Sequence, residues 1–160
     1  GAEGTEISHV LRSIKFMTLD GEVKTYSKSE MVFAYRKTTF PSKGGIVIEA
    51  ELDLEKGNIT DIHREMDKYL SRRSSTQPLT MPNSGSIFKN PAGEKAGRLI
   101  ESVGLKGFRI GGAGVSIKHA NFIVNKGGAS AEDVIRLIKH IQTVVEKKSG
   151  IKLEQEIVII

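Results

Sequence analysis

The chain contains no cysteine and no tryptophan among its 160 residues, and only four prolines. Without cysteine there is no disulfide and no thiolate metal site, which fits a reducing cytoplasm. The histidines His9, His63, His119 and His140 share no ligand spacing, so no metal is expected. No run approaches the ~18 apolar residues of a membrane span, and the first residues lack a charged-then-apolar leader. A soluble, cytoplasmic protein without a membrane partner is expected. One charge sign is in mild excess, 24 Lys+Arg against 19 Asp+Glu, or +5. The basic residues are scattered, and the pairs Arg72-Arg73 and Lys147-Lys148 carry no interleaved aromatics, so no nucleic-acid partner is expected. The excess could equally mean an anionic small molecule such as a phosphorylated nucleotide. What is present is ordinary for a globular chain, 38% hydrophobic and 27% charged, with length for one sizeable core or two small lobes.

Ile14, Phe16 and Thr18 alternate, Asp20-Gly21 signals a hairpin, and Val23 and Thr25 resume the alternation, predicting two paired strands. Residues 27–34 read as a short helical or irregular connection. Ile46, Ile48, Ala50, Leu52 and Leu54 predict a half-buried strand. Ile62, Met66, Tyr69 and Leu70 share one face of an amphipathic helix over 61–73. Ser74 to Asn83 holds two of the four prolines and reads as a linker. A second helix is expected over about 94–103, stopped by Gly104. Gly107, Gly111, Gly112 and Gly114 match neither common nucleotide-loop spacing, and suit a phosphate cradle or a tight crossing equally. Ala120 to Asn125 predicts a short strand. Ser130 with Asp133 makes a capping pair for a long helix with Val134, Leu137, Ile138, Ile141 and Val145 in one stripe, ending at Gly150. Ile157 to Ile160 reads as a buried closing strand.

The candidate chemistry centres on Gly85-Ser-Ile-Phe-Lys-Asn-Pro91. Glycine permits close backbone approach, and Asn90 before Pro91 is biased to extended geometry. Ile87 and Phe88 can anchor a loop that presents Ser86, Lys89 and Asn90. Glu156 is a carboxylate in an otherwise apolar segment, so it either faces solvent or requires pairing. His119 reads as a hydrogen-bonded structural histidine. A serine without a paired base is a poor nucleophile but can deliver a proton if a cation holds the intermediate's charge. Arg36, Ser86 and Glu156 supply cation, proton donor and second acid.

Taken with these residues, Thr76-Gln-Pro-Leu79, Ala96-Gly-Arg-Leu-Ile100, Gly104-Leu-Lys-Gly107, Gly111-Gly-Ala113, Lys118-His-Ala-Asn-Phe-Ile-Val-Asn125 and Leu153-Glu-Gln-Glu156 closely resemble the C-terminal part of the UDP-N-acetylenolpyruvoylglucosamine reductases. The opening Gly1-Ala-Glu-Gly-x-Glu-Ile-Ser8 and Phe33-Ala-Tyr-Arg36 also match, so the resemblance covers essentially the whole chain. It implies a flavoenzyme of bacterial peptidoglycan synthesis. NADPH reduces FAD, and hydride passes from the flavin N5 to C3 of the enolpyruvyl group of a UDP-sugar. By this resemblance Ser86 is the proton donor to C2, Glu156 the catalytic glutamate, and Arg36 the holder of the substrate carboxylate and developing enolate. Tyr35 and Asn90 would bind substrate, and Gly1, Ala2 and Gly4 the flavin.

Three departures from the resembled pattern stand out. The family's N-terminal flavin-binding loops are not represented, Glu3 stands at a usually aromatic position, and Val158 at an often basic one. The chain alone is therefore expected to hold FAD weakly or not at all and to be inactive, unless the missing region arrives as a separate chain. No clear lysine for the substrate diphosphate stands in 74–83, which leaves Arg73 as the candidate. The expected architecture is α+β: residues 1–73 from the flavin-binding domain, a linker over 74–83, and a substrate-binding domain over 84–160 with an antiparallel sheet and packed helices. Two rival expectations are another FAD oxidoreductase of the same superfamily and a non-catalytic basic nucleotide-binding domain.

Overall fold

The computed structural model describes residues 4–41 and 44–159. The fold is α+β, with antiparallel sheets throughout. Contacts group it into two compact units, residues 1–59 and 60–160.

In the first unit a short helix α1 (Ile7–Val10) leads into β1 (Leu11–Met17), which pairs with β2 (Val23–Ser27) and β5 (Ile46–Leu52) in the order β2-β1-β5. The Asp20-Gly21 turn closes the expected β1–β2 hairpin, with Gly21 at φ 83°. Leu11, Ile14 and Phe16 project to one side with Tyr26 and Met31, making a small core. The ring of Phe16 lies 5.1 Å from that of Phe40 and 6.0 Å from that of Tyr26. Residues 27–34 are more regular than expected. After a 3-10 turn, β3 (Val32–Ala34) and β4 (Lys37–Thr39) form a second hairpin through Tyr35 and Arg36. The strand expected over 46–54 forms, but it is exposed along its length rather than half-buried. Alternation marks which side chains share a face, and among the described residues nothing covers either face of β5.

The second unit carries the larger core. Helix α2 (Ile59–Thr76) continues three residues into the expected linker, because Ser74, Ser75 and Thr76 turn their hydroxyls back onto the carbonyls of Ser71 and Arg72. Its Ile62, Met66, Tyr69 and Leu70 are exposed. A four-stranded sheet follows in the order β6-β9-β8-β7, built from β6 (Asn83–Ser86), β7 (Arg109–Ile110), β8 (Ala113–Val115) and β9 (Phe122–Asn125). Helix α3 (Ala96–Ser102) and helix α4 (Ala131–Ser149) pack with this sheet around Ile87, Phe88, Ile100, Leu137, Ile138 and Ile141. Helix α4 begins at the Ser130–Asp133 capping box and ends at Gly150, whose φ of 72° suits a left-handed stop.

Two expectations in this unit are settled. Gly111 and Gly112 form a tight crossing, since a Cβ at Gly111 would strike the Asp133 carboxylate and one at Gly112 the Ala129 backbone. The Gly112 N–H donates to Asp133 Oδ2 at 3.3 Å, so that backbone donor is already paired. The buried closing strand does not form. Leu153 is buried, but Val158 is 83% and Ile159 52% exposed, and the segment pairs only through Gln155 with Phe88. Ile160 lies outside the described residues.

Candidate active site

The loop 85–91 is anchored from three directions. Gly85 takes φ 81° with open space where a Cβ would stand, so conformation rather than crowding calls for glycine there. Its N–H donates to Asn83 Oδ1 at 2.9 Å, and Ser86 closes β6 opposite Phe122 after a register irregularity. Ile87 and Phe88 are each 1% exposed and sink into the core. Beyond them, the Asn90 side chain accepts from the Ala96 N–H at 3.1 Å, capping the first turn of α3 in place of Lys95, whose side chain makes no cap.

Asn121, which the sequence shows only inside the Lys118–Asn125 motif, is the second anchor. It is buried, and its amide grips one residue twice: Phe88 N–H donates to Asn121 Oδ1 at 3.0 Å, and Asn121 Nδ2 donates to Phe88 O at 2.8 Å. The side chain thus replaces a strand's ladder. The Ile87 N–H donates to the Asn121 carbonyl at 2.9 Å, so the same residue holds the loop by backbone as well. A primary amide carries its acceptor and its donors on two separate atoms of one planar group, which suits it to pair with the N–H and C=O of a single residue.

The third anchor brings in Glu156. The Glu156 N–H donates to Ile87 O at 2.8 Å and the Lys89 N–H to Glu154 O at 2.9 Å, an antiparallel clasp around the Phe88–Gln155 bridge. Lys89 Nζ pairs with the Glu154 carboxylate. Gln142 of α4 donates to Leu153 O at 2.8 Å, which fixes the start of that segment. The fold therefore gathers Ser86, Asn90 and Glu156 on one loop pair over the core, and Glu156 is half-buried there rather than facing open solvent.

His119 is structural, as expected. Its Nδ1 accepts from the Asn121 N–H at 3.2 Å, its ring meets Phe122 edge-on at 4.9 Å, and burial holds its pKa below the ordinary value. A Cβ on Gly97 would lie 3.1 Å from its Cε1, so that glycine makes room for the ring.

Tyr35 and Arg36 belong to the first unit, at the tip of the β3–β4 hairpin. Arg36 has φ 54°, and no other non-glycine residue among those described has a positive φ. A left-handed arginine costs of order 1 kcal/mol or more, the kind of strain found at functional positions. Its guanidinium lies 5.6 Å from the Tyr35 ring centroid, within cation–π range, while Tyr35 is 61% exposed. Gly4, at φ 82°, lies in an exposed turn, and Gly1 and Ala2 lie outside the described residues. Arg73 is exposed and donates to Gln77 Oε1 at 3.2 Å. Among the described residues no His, Asp and Glu cluster is arranged for a metal, and no helix is long and apolar enough to cross a membrane.

Comparison with known proteins matches residues 77–160 to the UDP-N-acetylenolpyruvoylglucosamine reductase, C-terminal domain family. UDP-N-acetylenolpyruvoylglucosamine reductase 2 of Bacillus cereus is 47% identical over all 160 residues, which cover 52% of its length. The reductase of Oceanobacillus iheyensis is 48% identical, with the same coverage. The crystal structure of UDP-N-acetylenolpyruvylglucosamine reductase from Thermus caldophilus superposes with a TM-score of 0.83 at 36% identity, covering 98% of this chain and 55% of that one. The chain spans about half the length of the curated relatives it matches.

Proposed function

Because the chain belongs to the UDP-N-acetylenolpyruvoylglucosamine reductase family, we propose that it carries the substrate-reducing half of an enzyme making UDP-N-acetylmuramate from UDP-N-acetylenolpyruvoylglucosamine in peptidoglycan synthesis, in the cytoplasm. Residues 84–160 form the substrate-binding domain, and residues 1–73 belong with the flavin-binding one, the intervening segment 74–83 linking them. The observation that supports this reading is the backbone clasp of Glu156 against Ile87, which holds residue 156 beside the Ser86 loop.

The residues present bear on a flavin at one described position. Gly4 has a left-handed φ of 82° and open space about its Cα, the condition for close approach of its backbone to a ring or phosphate, with Gly1 and Ala2 beside it in sequence. FAD, recharged by NADPH, supplies the hydride that C3 of the enolpyruvyl group receives. The chain's own residues handle the resulting charge and the proton that quenches it. Negative charge accumulates at C2 and its carboxylate, and the Arg36 guanidinium, fixed at a strained hairpin tip, balances it. Ser86 delivers the proton to C2, and Glu156 supports that transfer from the neighbouring segment. Asn90 and Tyr35 hold the substrate. Since the 160 residues span about half of the relatives' length, they would not turn over alone.

The deciding experiment separates the half-reactions in the whole protein. Ser86→Ala is expected to leave flavin reduction by NADPH intact and to slow reduction of the enolpyruvyl sugar by ~10²–10⁴. Equal slowing of both halves overturns the proton-donor assignment.

A further inference from the structure

Every polar group of Asn121 is engaged, and most of them hold the Ser86 loop. Its Oδ1 and Nδ2 pair with the Phe88 N–H and C=O, and its own carbonyl accepts from the Ile87 N–H. Only its N–H points elsewhere, donating to His119 Nδ1 at 3.2 Å. Asn121 is 4% exposed, so a partner lost there is not replaced by bulk water.

An accepting Nδ1 requires a neutral ring with its proton on Nε2. A second proton goes onto Nδ1 and turns the acceptor into a donor facing a donor. The ring has little room to swing aside. A Cβ on Gly97 would lie 3.1 Å from its Cε1, 3.5 Å from its Nδ1 and 3.6 Å from Asn121 Cβ, so α3 packs directly on ring and amide. The Phe122 ring meets it edge-on. The backbone around it is fixed as well: Ser116 Oγ accepts from the N–H groups of Lys118 and His119, and the Phe122 N–H donates to the His119 carbonyl at 3.0 Å. Burial favours the neutral ring most strongly, and contact with its own backbone opposes it. Lys106 and Glu101, ion-paired at 2.7 Å by the end of α3, act on the ring in opposite senses. Lys118, beside it in sequence, gives its ammonium to the Ser74 carbonyl.

We propose that His119 is a positioning residue for the Ser86 loop: its neutral ring holds Asn121, and through it Phe88, in register, and protonation of the ring loosens the loop. The positioning stands on these hydrogen bonds. Its consequence for the reaction rests on the proposed role of Ser86.

The test is amide exchange with ring-nitrogen NMR on the whole protein. At neutral pH the His119 ring is expected to carry its proton on Nε2. As pH falls through the ring's own titration, protection of the Phe88 N–H, corrected for the intrinsic exchange rate, is expected to fall roughly ten-fold further than that of Ile141 in α4. His119→Asn, whose Oδ1 can accept from the same N–H and does not titrate, is expected to keep Phe88 protected across the range. His119→Leu, with no acceptor, is expected to leave Phe88 equally loose at every pH. Reduction of the enolpyruvyl sugar is expected to slow roughly ten-fold over the same range, with no matching break in flavin reduction by NADPH, and His119→Asn should remove that slowing. A Phe88 response without a matching change in sugar reduction supports the positioning and overturns the role given to Ser86. A proton on Nδ1 at neutral pH, a ring that stays neutral until the chain unfolds, Phe88 protection that falls no further than that of Ile141, or loosening in His119→Asn equal to that of the parent overturns the positioning, whatever Ser86→Ala does to the reaction.

Discussion

In residues 60–160 a sheet lies against α3 and α4, and Ile87, Phe88, Ile100, Leu137 and Ile141 are each at most 1% exposed; in residues 1–59 the interior is five side chains around Phe16, and β5 is exposed throughout. The two units hold their candidate catalytic groups by different means. Ser86, Asn90 and Glu156 sit on a base stabilised by burial of apolar surface, where each large side chain contributes about 1.5–3 kcal/mol. Arg36 sits on a short hairpin where backbone geometry sets the position. Depth of core and placement of function are thus separable, and the first unit relies more on the ladder hydrogen bonds of its β2-β1-β5 sheet.

The sharpest way to break that contrast is core truncation. Phe88→Ala should cost about 3–5 kcal/mol, because the ring is 1% exposed in a core too interlocked to collapse. Phe16→Ala should cost less, since its core is small and is bordered by the partly exposed Phe33 and Phe40, so the site can relax. Urea melts followed by amide exchange in each unit would check the order, and equal costs would mean that the smaller core is as tightly packed as the larger.

Asn121→Ala comes next. It strands the Phe88 N–H and C=O in the interior, at about 1–3 kcal/mol. In the whole protein it should also reduce sugar reduction more than flavin reduction, since the Ser86 loop loses its register. A stability loss with both half-reactions unchanged would make Asn121 a packing residue only.

A pH experiment tells the units apart more gently. Burial depresses the His119 pKa, so the unfolded chain takes up that proton more readily than the folded one. Its contribution is complete above the unfolded value of about 6.5 and is lost as pH falls toward the folded pKa. Protection in 60–160 should therefore decline across that window, and His119→Gln should flatten the decline. Asp133 titrates lower: hydrogen bonds from the Ser130 and Gly112 N–H groups hold its pKa below the ordinary carboxylate value, so its contribution fades only in stronger acid. The smallest effect is expected on the first unit's surface, where Lys15→Ala should change stability by less than about 1 kcal/mol, and less again in high salt.

Helix α4 is readable in the sequence because its signals are local: a capping box at Ser130 and Asp133, a stripe at helical spacing, and Gly150 at the stop. The β3–β4 hairpin is not, because its turn uses Tyr35-Arg36 with no glycine, and strain of that kind has no compositional mark. The apolar run at 157–160 suggests burial, but pairing needs a partner strand, and the available partner, residues 87–89, takes 154–156 instead. The end of α2 escapes sequence reading for a related reason. Serine and threonine usually compete with helix, and here they bond back to it. At the site, resemblance points to Ser86, Asn90 and Glu156, whereas Asn121 requires coordinates, because a contact 33 residues away leaves no trace in spacing.

The clasp has a consequence for the order of folding. Phe88 meets Asn121 across 33 residues, and Lys89 meets Glu154 across 65. Closing such loops costs chain entropy before any contact rewards it, whereas α4 can form from neighbours alone. The Ser86 loop should therefore acquire its native shape after the helix and β9, and only once residues 153–156 have emerged and docked. During synthesis the core precedes the shape of this loop, and a chain stopped at Gly150 would keep its long helix while leaving residues 87–89 without the segment that clasps them.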